Sequence, residues 1–124
     1  MGTIVINFDA AEPEALHVLS RARELIEDPV NWVQGPYAVD DYGQPVDYDH
    51  PKACAWCALG AVWAVGDSER VNSDVALDIL NRVALRQGQP GIHWLSDDDE
   101  TDHEDVLAAF DRAIEIAIGE GGDE

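Results

Sequence analysis

PKACAWCALGAVWAV, residues 51–65, is the stretch whose reading decides the fold. It holds both cysteines of the chain, Cys54 and Cys57, and two of its four tryptophans, Trp56 and Trp63. The uncharged run continues to Gly66 and, counted from Ala53, is 14 residues long, too short to span a bilayer. Pro51 suits the first position of a helix, with Asp49 or His50 as the cap before it. The expected element is a helix starting at Pro51, apolar all round and therefore packed all round. Trp56, Leu59, Gly60 and Trp63 would share one side, and Cys54, Cys57, Ala58, Ala61 and Val65 another. Both tryptophans are then expected to be mostly buried, with the alanines and Gly60 letting neighbours approach closely.

Three chemistries compete for the cysteine pair. His50, Cys54 and Cys57 stand at i, i+4 and i+7, so one helical face would present three zinc ligands, with His93 or His103 as a fourth. A structural zinc site ordinarily has a second ligand pair close in sequence, and none is present. A redox pair wants its first cysteine at a helix N-terminus after a strand, whereas Cys54 would fall a turn inside the helix. A catalytic thiol needs a base and a polar pocket, and Cys57 lies between Trp56 and Ala58. Free cysteine is among the most buried residue types. The expectation is two reduced core thiols, with no catalytic residue, no metal and no cofactor.

Working outward, helix one is expected from Glu12 to Glu27. Pro13 sits in its first turn, Leu16, Leu19, Ala22 or Arg23, and Ile26 form a stripe, and Asp28-Pro29 stops it. Residues 30–50 are irregular, with turn signals at Gly35-Pro36 and Asp41-Tyr42-Gly43. Tyr37–Val39 and Val46–Tyr48 can pair across the second turn as a small hairpin. Trp32 is expected to fold back onto the core. Helix three is expected from Asn72 or Ser73 to Arg86, with Ala76, Ile79, Leu80, Val83 and Ala84 inward and Gly88 and Pro90 ending it. Thr101-Asp-His-Glu104 reads as the capping box of helix four, whose stripe is Val106, Leu107, Phe110, Ala113, Ile114 and Ala117 and whose end is Gly119. His93 precedes Trp94 in a loop, His103 is an exposed first-turn residue, and His17 lies beside the stripe of helix one. Thr3–Phe8 is β-prone.

The chain has 124 residues, 46% of them hydrophobic, which suits one domain and one core. Its charge is unusual: 26 acidic residues face 7 basic ones, a net of −19. Such a chain repels nucleic acid and anionic lipid, so neither direct nucleic-acid binding nor membrane association is expected. It is attracted to basic surfaces. Met1–Phe8 has no positive n-region, which with the short apolar run points to the cytoplasm. The acid is densest at SDDDETDHED, residues 96–105, with seven carboxylates from Asp97 to Asp105. The run lacks the central glycine of a calcium loop. Two meanings remain: a solvated helix N-terminus, or a surface for a basic partner in which carboxylates imitate nucleic-acid phosphates.

Several pieces form one pattern: Trp32-Val-Gln-Gly35-Pro-Tyr37-Ala38, then Pro51-x-Ala53-x-x-Trp56-Cys57-Ala-Leu-Gly60-Ala61, then Trp94-x-x-Asp97 ahead of the last helix. This resembles a family of small bacterial and phage proteins catalogued as a domain of unknown function, across nearly the whole chain after residue 12. The resemblance implies an arrangement without an assigned activity. Where that family usually has Asp before the helix-two proline, this chain has His50; where it usually has Asn after the last tryptophan, it has Leu95. A polar site built on those two residues would be absent here. The family pattern includes Cys57 and does not demand Cys54.

The expected fold is mainly α: a single domain of about four helices with a central apolar helix. A long loop or small hairpin separates helices one and two. An N-terminal arm or edge strand covers 1–11, the helical domain 12–119 and an acidic tail 120–124. The expected function is a non-enzymatic interaction protein that binds a basic protein surface through Asp97, Asp98, Asp99, Glu100, Trp32 and Trp94. A phage or mobile-element inhibitor that mimics nucleic acid is one form of it. The alternatives are a small enzyme, with Cys57 or the Trp94–Asp97 carboxylates in a pocket walled by Trp32, Tyr37 and Trp94, and a structural domain without a site.

Overall fold

The computed structural model describes residues 13–119, so the expected N-terminal strand and the acidic tail lie outside the described residues. Five helices and a three-stranded antiparallel sheet make up this part. The helices are α1 (Pro13–Leu25), α2 (Ala58–Glu69), α3 (Asp74–Arg86), α4 (Ile92–Asp97) and α5 (His103–Ile118). The strands are β1 (Ala38–Val39), β2 (Pro45–Val46) and β3 (Ala55–Trp56), in the order β2-β1-β3. The fold is thus mainly α.

The long helices follow from their apolar periodicity. Val18, Leu19 and Ala22 of α1, Ile79, Leu80 and Val83 of α3, and Val106, Phe110 and Ala113 of α5 are all buried in one core. Each large side chain among them contributes about 1.5–3 kcal/mol of transfer free energy. α1 packs on α2 and α5, and α3 on α5, while α4 closes one end against α2 and α3. Arg23 of α1 adds a tie to Asp111 of α5 at 2.7 Å.

The expected hairpin forms with shorter strands, the second being Pro45–Val46 rather than Val46–Tyr48, with Ala38 opposite Val46 and Val39 opposite Pro45. The expected helix from Pro51 does not form there. Residues 47–53 make two tight turns, with His50 N donating to Asp47 O and Ala53 N to His50 O, both at 3.0 Å. Pro51 therefore occupies the second position of a turn, where its fixed φ is equally at home. His50 Nδ1 accepts from Lys52 N at 3.0 Å, the bond an Asp side chain would make in such a turn. Ala55–Trp56 then pairs with β1, with Ala38 opposite Trp56 and Val39 opposite Ala55.

The helix begins only at Ala58. Cys57 is its N-cap, and Cys57 Sγ accepts from Gly60 N at 3.3 Å. Gly60 has a steric reason: a Cβ there would stand 2.1 Å from the carbonyl oxygen of Tyr37. That same carbonyl accepts from Cys57 N at 3.2 Å, so the chain entering β1 lies directly on the first turn of α2. α2 touches α1, α3, α4 and β3, and Ala61, Val62 and Val65 are buried, in keeping with a central apolar helix.

Two further starts differ from expectation. The capping box of α5 is Asp102 with Asp105, one residue later than Thr101 with Glu104. Thr101 is held in the preceding turn, its N–H donating to Asp98 O at 3.0 Å. α4 forms where the sequence reads as loop around His93 and Trp94. Its first free N–H, at Ile92, donates to Asn81 Oδ1 of α3 at 2.8 Å, so its cap comes from another helix. Ile92 and Leu95 hold it to the core. At α3, Asn72 Oδ1 accepts from Asp74 N at 2.7 Å, whereas the Ser73 side chain makes no capping bond.

Candidate functional site

The expected binding residues fall on one seam, where the strap Trp32–Gly35 crosses the end of α4. Trp32 is half-buried, and its Nε1 donates to Ser96 Oγ at 3.3 Å. Ser96 is fully buried and also accepts from Ala58 N, so it joins the strap, α2 and α4. Gln34 Nε2 donates to the carbonyls of Ser96 (3.0 Å), Asp98 (2.8 Å) and Thr101 (3.3 Å). Gly35 N donates to Asp97 Oδ1 at 3.0 Å. The spacing Trp32-x-x-Gly35 is thus matched to the stretch 96–101.

This seam divides the four acids. Asp97 holds the strap and faces His93 at 3.5 Å. Asp98 accepts from Glu100 N and Gln89 Nε2, which hold its carboxyl below the usual range, the backbone donor having the larger effect. Asp99 and Glu100 are exposed, and no hydrogen bond or ion pair engages their carboxylates among the described residues. Trp94 is 57% exposed and lies edge-on to His93, ring centroids 5.5 Å apart. His93 is in α4 rather than a loop, and its Nδ1 is buried with no hydrogen-bond partner among the described residues. His103, expected to be exposed, is half-buried and bonded through Nε2 to Ile26 O at 2.7 Å.

The two cysteines separate. Cys57 is fully buried and Cys54 is exposed, which corrects the expectation of two core thiols. The three-ligand helical face of His50, Cys54 and Cys57 does not exist, because residues 50–57 are turns and strand. Among the described residues no group of three or more His, Cys, Asp and Glu is placed to hold a metal ion. Cys57 does occupy a helix N-terminus after a strand, a position that favours a thiolate. Burial outweighs it: desolvation pushes the thiol up, the Gly60 N–H opposes this with a smaller effect, and the Asp97 charge pushes it up further.

A larger concavity lies elsewhere. A groove of about 640 Å³ runs between α1, α2 and the 48–50 turn. Leu25, Trp56 and Val65 contribute apolar surface, and Glu24, Asp49, Asp67 and Glu69 contribute carboxylates. Trp56 is half-buried here rather than enclosed. Its Nε1 donates to Tyr48 O at 3.0 Å, and Tyr48 OH donates to Asp67 Oδ2 at 2.8 Å. Trp63, also half-buried, lies 5.2 Å from the ring of Tyr37 and 5.5 Å from that of Tyr48. Arg21 reaches Glu24 at 2.9 Å and Glu69 at 3.2 Å, and His17 bonds the other Glu69 oxygen. These partners, His17 foremost, draw the Glu69 carboxyl below its usual range. Sequence reasoning did not assemble this groove, because it placed Trp56 inside a helix and His17 beside a stripe. A hollow of about 240 Å³, lined by Gln87, Gln89, Asp98 and Glu100 among others, lies beside the seam.

The chain belongs to a family of unknown function (DUF6197), whose match covers residues 10–116. No curated protein and no solved structure matches it. No helix among the described residues is long and apolar enough to cross a membrane.

Proposed function

We propose that this protein is a non-enzymatic interaction module whose acidic surface binds a basic partner protein. The observation that carries the reading is how the few cations are used. Arg21 pairs with Glu24 and Glu69, Arg23 with Asp111, Arg82 with Asp78 and Arg112 with Glu115. Four of the seven bases are thus answered within the described residues, and few cations remain to offset the acids behind the net charge of −19. A field of that sign raises the encounter rate with basic surfaces and repels polyanions. A phage- or mobile-element-encoded inhibitor that imitates nucleic acid is one form of such a module. The exposed free thiol of Cys54 fits a reducing cytoplasmic setting.

Of the four acids at 97–100, Asp99 and Glu100 are the ones available to a partner, with Trp94 exposed on the same chain segment. Asp97, Asp98 and Trp32 support this surface from beneath. An enzyme built on Cys57 has less in its favour, since the thiol is sealed and protonation is favoured.

The test is capture from bacterial lysate, followed by reconstitution with each captured protein in purified form. A basic partner should bind at low ionic strength and weaken steeply as salt rises. The reading fails if no purified basic protein binds, or if binding is indifferent to salt.

A further inference from the structure

The groove between α1, α2 and the 48–50 turn has an uneven charge balance. Glu24 and Glu69 are answered by Arg21, and Glu69 also by His17. Asp49 is different: no hydrogen bond or ion pair engages its carboxylate among the described residues. Asp67 receives only a neutral phenol, on one of its two oxygens. The floor beside them is aromatic and already held in place, because Trp56 Nε1 is bonded to the Tyr48 carbonyl and the Tyr48 hydroxyl to Asp67. The phenol of Tyr48 holds its proton more tightly than usual, first through that bond to Asp67, then through burial and the charges of Asp67, Asp49 and Asp47. The local field is therefore negative on the side of the groove where, among the described residues, no Lys or Arg pairs with Asp49 or Asp67 and His50 beside them accepts from Lys52 N instead.

We propose that this groove receives a lysine or arginine side chain from a basic partner protein, its stem over Tyr48 and Trp56 and its charge against Asp49 and Asp67. The proposal rests on the interaction-module reading and gives it a seat distinct from the 97–100 surface. The complementarity has two parts. Long cationic side chains lay an apolar stem on apolar surface while the head stays near water and carboxylate. Aromatic faces attract the same cation. A second copy of this chain is a poor occupant, since each copy carries the same net charge of −19. A neutral apolar ligand would leave Asp49 unanswered.

The experiment uses the full chain, ¹⁵N-labelled, with the Trp56 indole N–H resonance assigned through Trp56→Phe. The probe is a short peptide with two arginines flanking a leucine, alongside its citrulline counterpart of the same shape without charge. The arginine peptide should move the Trp56 resonance saturably. Asp49→Asn with Asp67→Asn should weaken it about tenfold, whereas Asp99→Asn with Glu100→Gln should change it less than about twofold. Asp49→Asn alone guards against a folding defect, because that carboxylate has no partner to lose among the described residues, and it should weaken binding about threefold. Equal binding of the citrulline peptide overturns the proposal. So does arginine-peptide binding that leaves Trp56 unmoved and is lost only with Asp99 and Glu100, an outcome that keeps the interaction-module reading. Failure of the arginine peptide to bind anywhere at low salt also overturns the groove proposal, while the interaction-module reading stands or falls by binding to a purified basic protein.

Discussion

Residues 51–57 and residues 58–66 belong to one stretch that shares its composition, yet they fold differently. The first half is a turn and a two-residue strand, with Cys54 exposed; the second is helix, with its inward face closed. What separates them is where their backbone hydrogen bonds go. Cys54 N donates to Val39 O at 2.9 Å and Cys57 N to Tyr37 O at 3.2 Å, so the first half is completed by β1. Ala61 N donates to Cys57 O at 2.9 Å, so the second half completes itself. An uncharged run thus states that burial is available without stating which backbone partner will be chosen.

The sharpest way to break this comparison is at the joint. Gly60→Ala brings a methyl group into the Tyr37 carbonyl. The helix gains roughly 1 kcal/mol of propensity, but the clash with backbone should leave a net loss of about 2–3 kcal/mol in urea or thermal unfolding. A variant as stable as the original would mean that β1 does not press on α2.

Thiol chemistry compares the halves directly. Cys54 should react with a maleimide or disulfide reagent in the native state roughly a hundredfold faster than Cys57, which must wait for local opening. In denaturant the two rates should converge. Comparable native rates would mean that the N-terminal turn of α2 opens readily.

A smaller effect is expected from truncation. Cys57→Ala removes the Gly60 N–H acceptor as well as packed sulfur and should cost about 1–2 kcal/mol. Cys54→Ala should stay within about 0.5 kcal/mol. Equal costs, measured as shifts in urea midpoint, would contradict the separation of the two thiols.

The smallest effect concerns acid. Crowding of carboxylates suggests raised pKa values, but the shifts resolved at Glu69 and Asp98 run downward. Each of these carboxyls binds its proton less readily folded than unfolded. Its contribution is therefore complete above about pH 4.5 and is lost as pH falls through the lower folded value. The gap in melting temperature between the original chain and Asp98→Asn should accordingly close as pH falls from about 5 to about 3. A gap that widens in acid would show that Asp98 is not held by Glu100 N and Gln89.

The seam and the groove differ in how far they could be read in advance. At the seam, Trp32, Gly35, Trp94 and Asp97 stood out by residue type and spacing; Gly35 bonds Asp97 and Trp32 bonds the neighbouring Ser96, while Trp94 stays exposed beside His93. Their division of labour was hidden, since a carboxylate facing water and one holding a backbone N–H look alike in sequence. The groove was not legible at all. Arg21 and Glu69 are 48 residues apart, and only the packing of α1 on α2 brings them together.

The sequence alone determined the elements whose information is local. α1, α3 and α5 announce themselves through apolar spacing, through Pro13 at one start and through Gly88 and Gly119, both at positive φ, beyond two of the ends. Each such signal acts within a few residues, where side-chain spacing sets which face is apolar and a cap satisfies the nearest free N–H or C=O groups. The tertiary structure decided the elements that are completed from far away. β3 needed the carbonyls of Tyr37 and Val39, α4 needed the Asn81 side chain from α3, and Cys57 became a cap because the β1 entry occupies the space above Gly60. Two residues of strand or six of helix cannot hold themselves, because the entropy lost in ordering so short a segment exceeds what its own hydrogen bonds return.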